Sequence, residues 1–138
     1  MYSRNPHHKQ MLSDYYTVNS RRTEDETAIF EVSLNPASVV YRGHFPDMPV
    51  APGVCNIQLI KECVEQLTGR RLQISHIARC RLTTLLQPQK HPDLQVRIRL
   101  LEHTEARVSA QTVIGQGEAT YFTLAFDAHV QQPQHRNV

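Results

Sequence analysis

The 138-residue sequence lacks a strong charge of either sign. Its 15 Lys and Arg residues against 13 Asp and Glu leave a formal net charge of +2, too mild for the basic footprint of a nucleic-acid-binding domain. It lacks a long apolar run. Nothing in it approaches the about 20 apolar residues of a membrane-crossing helix, and its start, MYSRNPHHKQML, has no apolar signal core. It lacks a disulfide framework. Cys55, Cys63 and Cys80 are odd in number and unframed in spacing, which points to a reducing compartment, with the cytoplasm as the expected location. No repeat or interdomain linker divides the chain. No His/Cys/Asp set has metal-ligand spacing, and no Gly-rich phosphate loop or Ser-His-Asp order stands out. No cofactor is implied. The eight histidines are scattered, and His7 and His8 lie in a polar run suited at most to weak metal binding.

Hydrophobic residues make up 40% and charged residues 20% of the chain, as in a globular domain rather than a disordered segment. The expected organisation is one domain over 1–138, with a loose arm at 1–11 and a loose tail at 131–138. DYYTVNSRR and TAIFEVSL read as two strands around the polar TEDE, because Ala28, Phe30, Val32 and Leu34 alternate with Thr27, Ile29, Glu31 and Ser33. NPASVVY reads as a short turn. A helix is expected from near Pro52 to Gly69, since proline suits a first helical turn and glycine an end. Ile57, Ile60, Val64 and Leu67 give it one apolar stripe. RLQISHIARCRLTTLL, LQVRIRLLEHT, ARVSAQTVIGQGE and ATYFTLAFDAHV then read as strands, the first closed by the proline-containing QPQKHPD. One long helix among five or six long strands predicts an α+β fold, an antiparallel sheet around that helix.

Between the first two strands and the helix lies RGHFPDMPVAPGV. Pro46, Pro49 and Pro52 each fix a φ angle and restrict the preceding residue, so the loop loses little entropy on ordering and can hold His44 in one place. Gly53 permits close approach of another group. It also lies where free helix N–H groups and the helix dipole favour partial negative charge, as on a polarised carbonyl. Histidine is the natural base near neutral pH. These parts suit proton removal beside a polarised carbonyl. The bland alternative is a proline-rich connector in which His44 caps a backbone group. Asp47 in the loop reads as an exposed aspartate and His76 as a structural histidine in a strand. Cys55 and Cys63 read as small apolar residues of the helix.

GHFPDMPVAPGV, Gly43 to Val54, resembles the signature loop of the beta-hydroxyacyl-acyl carrier protein dehydratases, which have the hot-dog fold. The match is nearly continuous over that loop; elsewhere it is one of architecture. The resemblance implies a site shared between two chains, in a homodimer or a heterodimer with a related dehydratase. His44 would remove the proton alpha to a thioester carbonyl held by the Gly53 N–H. Phe45, Pro52 and Val54 would lie against the substrate. The pantetheine arm of acyl carrier protein, an acidic partner, would enter between protomers, where Arg70, Arg71, Arg79 or Lys90 could meet it.

The chain departs from that family at one position. Five residues after the glycine of Pro-Gly the family carries a carboxylate; here it is Gln58. An amide can hydrogen-bond a hydroxyl but cannot deliver a proton to it. One helical turn later, where the family often has glutamine, stands Glu62, on the same helix face. Three readings follow. The first is an active dehydratase in which Gln58 and Glu62 together handle the hydroxyl. The second is a catalytically weak or inactive subunit that binds carrier protein or pairs with another dehydratase. The third is a thioesterase on the same fold, in which a carboxylate activates water.

Overall fold

The computed structural model describes residues 14–43 and 53–132. His44, Phe45, Asp47 and Pro52 lie outside the described residues, as do the expected arm and most of the expected tail. Six strands form one antiparallel sheet: β1 (Tyr16–Glu24), β2 (Thr27–Leu34), β3 (Leu72–Leu82), β4 (Asp93–His103), β5 (Arg107–Gln116) and β6 (Ala119–Val130). Their spatial order is β1-β2-β4-β5-β6-β3, and every neighbouring pair is antiparallel. A single described α-helix, α1 (Gly53–Thr68), covers the apolar face. This is the α+β, hot-dog arrangement that the sequence led one to expect.

Local chemistry sets the boundaries. The β1–β2 hairpin turns at Asp25, whose φ of 54° is left-handed, a region Asp tolerates better than bulky residues do. Helix α1 stops at Gly69, with φ 72°, where the Gly69 N–H donates to the Glu65 carbonyl at 2.8 Å in the manner of an αL cap. Asp14 precedes β1 rather than joining it. Its carboxylate accepts from the Ser38 hydroxyl and the Val39 N–H, both at 2.9 Å. That clamp fixes the turn and 3-10 segment (Val39–Gly43) built from NPASVVY, and Tyr41 packs its buried ring on Tyr15, centroids 5.9 Å apart. The chain therefore enters the histidine loop from a pinned end and leaves it at the first turn of α1.

The core follows strand alternation. Phe30 and Val32 of β2, Leu94, Val96 and Ile98 of β4, Ile114 of β5, and Phe122, Leu124 and Phe126 of β6 are buried against Leu59, Ile60, Cys63 and Val64 of α1. Each such fully buried large side chain contributes about 1.5–3 kcal/mol. The helix stripe is rotated from the expected one. Ile57 and Leu67 are only half-buried, while Asn56, Leu59 and Cys63 are fully buried.

Strand β3 is the uncovered edge. Ile77, Cys80 and Leu82 sit opposite Phe126, Leu124 and Phe122, on the helix side of the sheet, yet all three are exposed. Only Leu72, at the start of the strand, is buried there. The expected strand through Leu86 ends at Leu82, and the N–H groups of Thr83 and Thr84 turn to the Tyr121 carbonyl at 2.8 and 3.2 Å. His76 lies in β3, as the sequence suggested, and is exposed in the single chain.

Candidate functional site

Four residues of the expected site are described, all on α1: Gly53 and Val54 in its first turn, then Gln58 and Glu62. Gly53 opens the helix, so its N–H has no intrahelical acceptor. A Cβ added there would meet no atom of the described residues within 4 Å, which leaves room for another group to approach the backbone. Val54 next to it is 72% exposed, an apolar side chain at the mouth of that space. Gln58 follows Val54 by one turn on the same helix face and is half-buried.

Glu62 is 5% exposed. Both of its oxygens are engaged. Oε1 accepts the phenol O–H of Tyr16 at 2.5 Å, and Oε2 accepts the Gln58 amide N–H at 2.9 Å. The pairing gives a buried carboxylate the donors it needs to be tolerated in an apolar surround. Burial, then the bond to Glu62, pushes the Tyr16 hydroxyl well above the usual tyrosine range, so Tyr16 acts as a neutral donor. The amide donates through Nε2 to Glu62, and its Oε1 takes no donor among the described residues. Sequence reasoning identified Gln58 and Glu62 but missed Tyr16, which sits 46 residues away and reads only as an apolar-strand tyrosine. It also missed Asn56, fully buried with neither amide atom hydrogen-bonded.

The remaining chemical residues fall elsewhere. The cysteines are free; Cys55 and Cys63 are buried, and burial raises both thiols away from the reactive thiolate form. Arg70 is spent on the Glu105 and Thr104 carbonyls at 3.1 and 2.7 Å, and Arg71 lies 3.8 Å from Glu65. Arg79 lines an open groove of about 610 Å³ with Arg97, Arg99, Thr27 and Thr123. Those residues alternate with the core positions, so the groove lies on the sheet face away from α1 and is not where an acyl chain beside the helix would go. No described set of His, Cys, Asp and Glu has the grouping to hold a metal ion, and no described helix is long and apolar enough to cross a membrane.

Comparison with known proteins narrows what this geometry belongs to. The heterocomplex titled the dehydratase ApeI:P, from Xenorhabdus doucetiae, superposes with a TM-score of 0.64 at 21% identity, covering 82% of this chain and 96% of that one. A hypothetical thioesterase solved with coenzyme A, from Streptococcus pneumoniae, gives 0.62 at 11% identity, covering 91% and 94%. At such identities these two share the fold. In sequence, the chain is 28% identical over 100 residues to the 3-hydroxyacyl-[acyl-carrier-protein] dehydratase FabZ of Oceanobacillus iheyensis, covering 67% of this chain and 70% of that protein. The model of the ApeI-like family, described as ApeI dehydratase, matches residues 20–120. That span runs from β1 to the start of β6 and takes in α1 with Gln58 and Glu62, so the chain belongs to the ApeI-like dehydratase family within the hot-dog dehydratases.

Proposed function

We propose that the chain acts on beta-hydroxyacyl thioesters carried by acyl carrier protein and interconverts them with the trans-2-enoyl thioesters. The observation that carries this reading is the open helix start at Gly53 with an oriented amide, Gln58, on the same stretch of α1. The Gly53 N–H holds the thioester carbonyl and stabilises the charge that develops on it. His44 takes the proton from the carbon alpha to that carbonyl. Gln58 accepts a hydrogen bond from the beta-hydroxyl. As the beta C–O bond breaks, its electron pair leaves with the oxygen, and the proton now on His44 passes to it, giving water and the enoyl thioester. Phe45, Pro52 and Val54 line the acyl path, and the thiols suit a reducing cytoplasm.

The site is completed by a second chain. The exposed Ile77, Cys80 and Leu82 on the helix side of β3 need cover, and a partner of the same fold laid along that edge supplies it. A heterodimeric form of this reading has its own support. An amide stands where the resemblance expects a carboxylate, and a structural neighbour is titled a dehydratase heterocomplex. In that form a related chain provides the acid while this one provides His44.

The test is hydration of a trans-2-enoyl thioester on acyl carrier protein by the purified chain alone. Turnover abolished in His44→Ala supports the first form. Turnover appearing only on mixing with a second dehydratase-like chain supports the second. Hydrolysis of acyl thioesters lacking a beta-hydroxyl, with no hydration, would replace both with a thioesterase.

A further inference from the structure

The acid and the amide of α1 stand in the reverse of the order the resemblance leads one to expect, yet they remain hydrogen-bonded to each other, and a third residue closes the set. Hydrogen-bond polarity runs one way through it. The phenol of Tyr16, kept protonated by burial, donates to Glu62 Oε1 at 2.5 Å. The other carboxylate oxygen, Oε2, accepts from the Gln58 NH₂ at 2.9 Å. That arrangement leaves Gln58 Oε1 without a donor among the described residues. A glutamine free to rotate would present either end of its amide; this one is held by a buried carboxylate that is itself anchored on another strand.

We infer that Tyr16 and Glu62 are positioning residues that fix Gln58 with its carbonyl oxygen toward the ligand, so that the site selects an acyl group bearing a hydroxyl donor. The inference rests on the reading of the site given above and deepens it. The relay makes the position a hydrogen-bond acceptor. The enoyl product has no donor to offer it, so discrimination favours the hydroxylated form. It also assigns Glu62 a role without substrate contact, acting through the orientation of its neighbour.

The same logic dictates what removes the preference. In Glu62→Gln the polarity is no longer fixed, because a neutral phenol both donates and accepts and the new amide can present either end, so Gln58 loses its single orientation and can turn its NH₂ toward the ligand. In Tyr16→Phe the carboxylate remains and Gln58 keeps its orientation, held less firmly.

The experiment compares binding of a 3-hydroxyacyl pantetheine thioester and the matching saturated thioester to the full chain. In parallel, NMR follows the Gln58 side-chain amide, its signal identified by its loss in Gln58→Met. One hydrogen bond corresponds to a preference of about 5-fold in Kd for the hydroxylated ligand. That preference is expected to fall to about 1 in Glu62→Gln and to survive, reduced, in Tyr16→Phe. The Gln58 amide protons are expected to be slow to exchange in the wild type and fast in Glu62→Gln. An unchanged preference in a folded Glu62→Gln, with the amide signal changed, would overturn the inference by showing the relay to be structural only. A Gln58 amide that exchanges as fast in the wild type as in Glu62→Gln would overturn it by removing the relay. Failure of either thioester to bind, with a protected Gln58 amide, would instead sink the functional reading on which the inference stands, and the inference with it.

Discussion

Tyr16 opens β1 and Glu62 lies midway along α1, and the phenol of the first donates to the carboxylate of the second at 2.5 Å across 46 residues of sequence. This contact ties the sheet edge to the helix at the level of Gln58. A carboxylate that is 5% exposed carries a desolvation cost, which its two donors offset. Removing either donor therefore affects the fold and the site together.

Alkaline stability reports on that arrangement. Burial chiefly, and the Glu62 bond next, raise Tyr16 above its ordinary value of 10.0, and burial does the same for Tyr15. The native state then binds these protons more tightly than the unfolded chain. The associated stability is fully present below pH 10 and is lost as pH rises past it. Urea unfolding is expected to show stability falling from pH 10 to 11 by up to about 1.4 kcal/mol for each such group. Tyr16→Phe is expected to be about 1.5–3 kcal/mol less stable at pH 7 but to show a shallower alkaline decline. An identical decline in the variant would mean Tyr16 titrates normally.

Returning a carboxylate to position 58 tests the proposed chemistry. In Gln58→Glu two carboxylates would face each other one turn apart, and the pair would hold a shared proton at neutral pH. A proton donor beside the beta-hydroxyl is then available. Hydration of the enoyl thioester is expected to rise about 100-fold, at the lower end of general acid–base contributions. A rate that stays level would show that this chain's limit lies elsewhere.

The β3 edge makes a prediction about assembly. Ile77 is 41% exposed on the helix side of the sheet. Ile77→Glu is expected to leave the circular dichroism spectrum unchanged and to shift sedimentation from dimer to monomer. A dimer that persists would place the contact on another surface.

Gly53 separates stability from function. With no atom of the described residues within 4 Å of an added Cβ, Gly53→Ala is expected to hold or raise stability, by up to about 1 kcal/mol, since alanine loses less entropy in a helix. Turnover is expected to fall, because the methyl occupies the approach to the N–H. Equal activity in the variant would argue that no substrate carbonyl comes there.

Much of this was legible in the chain. β6 runs over Ala119–Val130, the alternation of ATYFTLAFDAHV, because a half-buried strand announces itself by period 2. The helix limits followed from a proline at the expected start, Pro52, and a glycine at the end, Gly69. What stayed hidden was what packing decides. Ile57 and Leu67 satisfy a helical stripe as well as Asn56 and Cys63 do, and only the tilt of α1 on the sheet selects between them. Tyr16 could not be read as a partner of Glu62, since nothing local in DYYTVNSRR distinguishes a tyrosine that donates to a distant carboxylate from its neighbour Tyr15. Gln58 and Glu62 were visible because i and i+4 spacing is a property of sequence alone.

The two margins of the sheet are unlike. β1 is bulged at Asn19 and bears Arg21, Arg22 and Glu24, features that discourage a further strand, and none of the exposed large hydrophobic residues falls on it. β3 leaves Ile77 and Leu82 uncovered. Two chains joined β3 to β3 about a two-fold axis would use up both receptive margins and turn only the blunted ones outward. Growth would then stop at the pair, and a sheet open at one side would become a closed assembly instead of the start of a fibre.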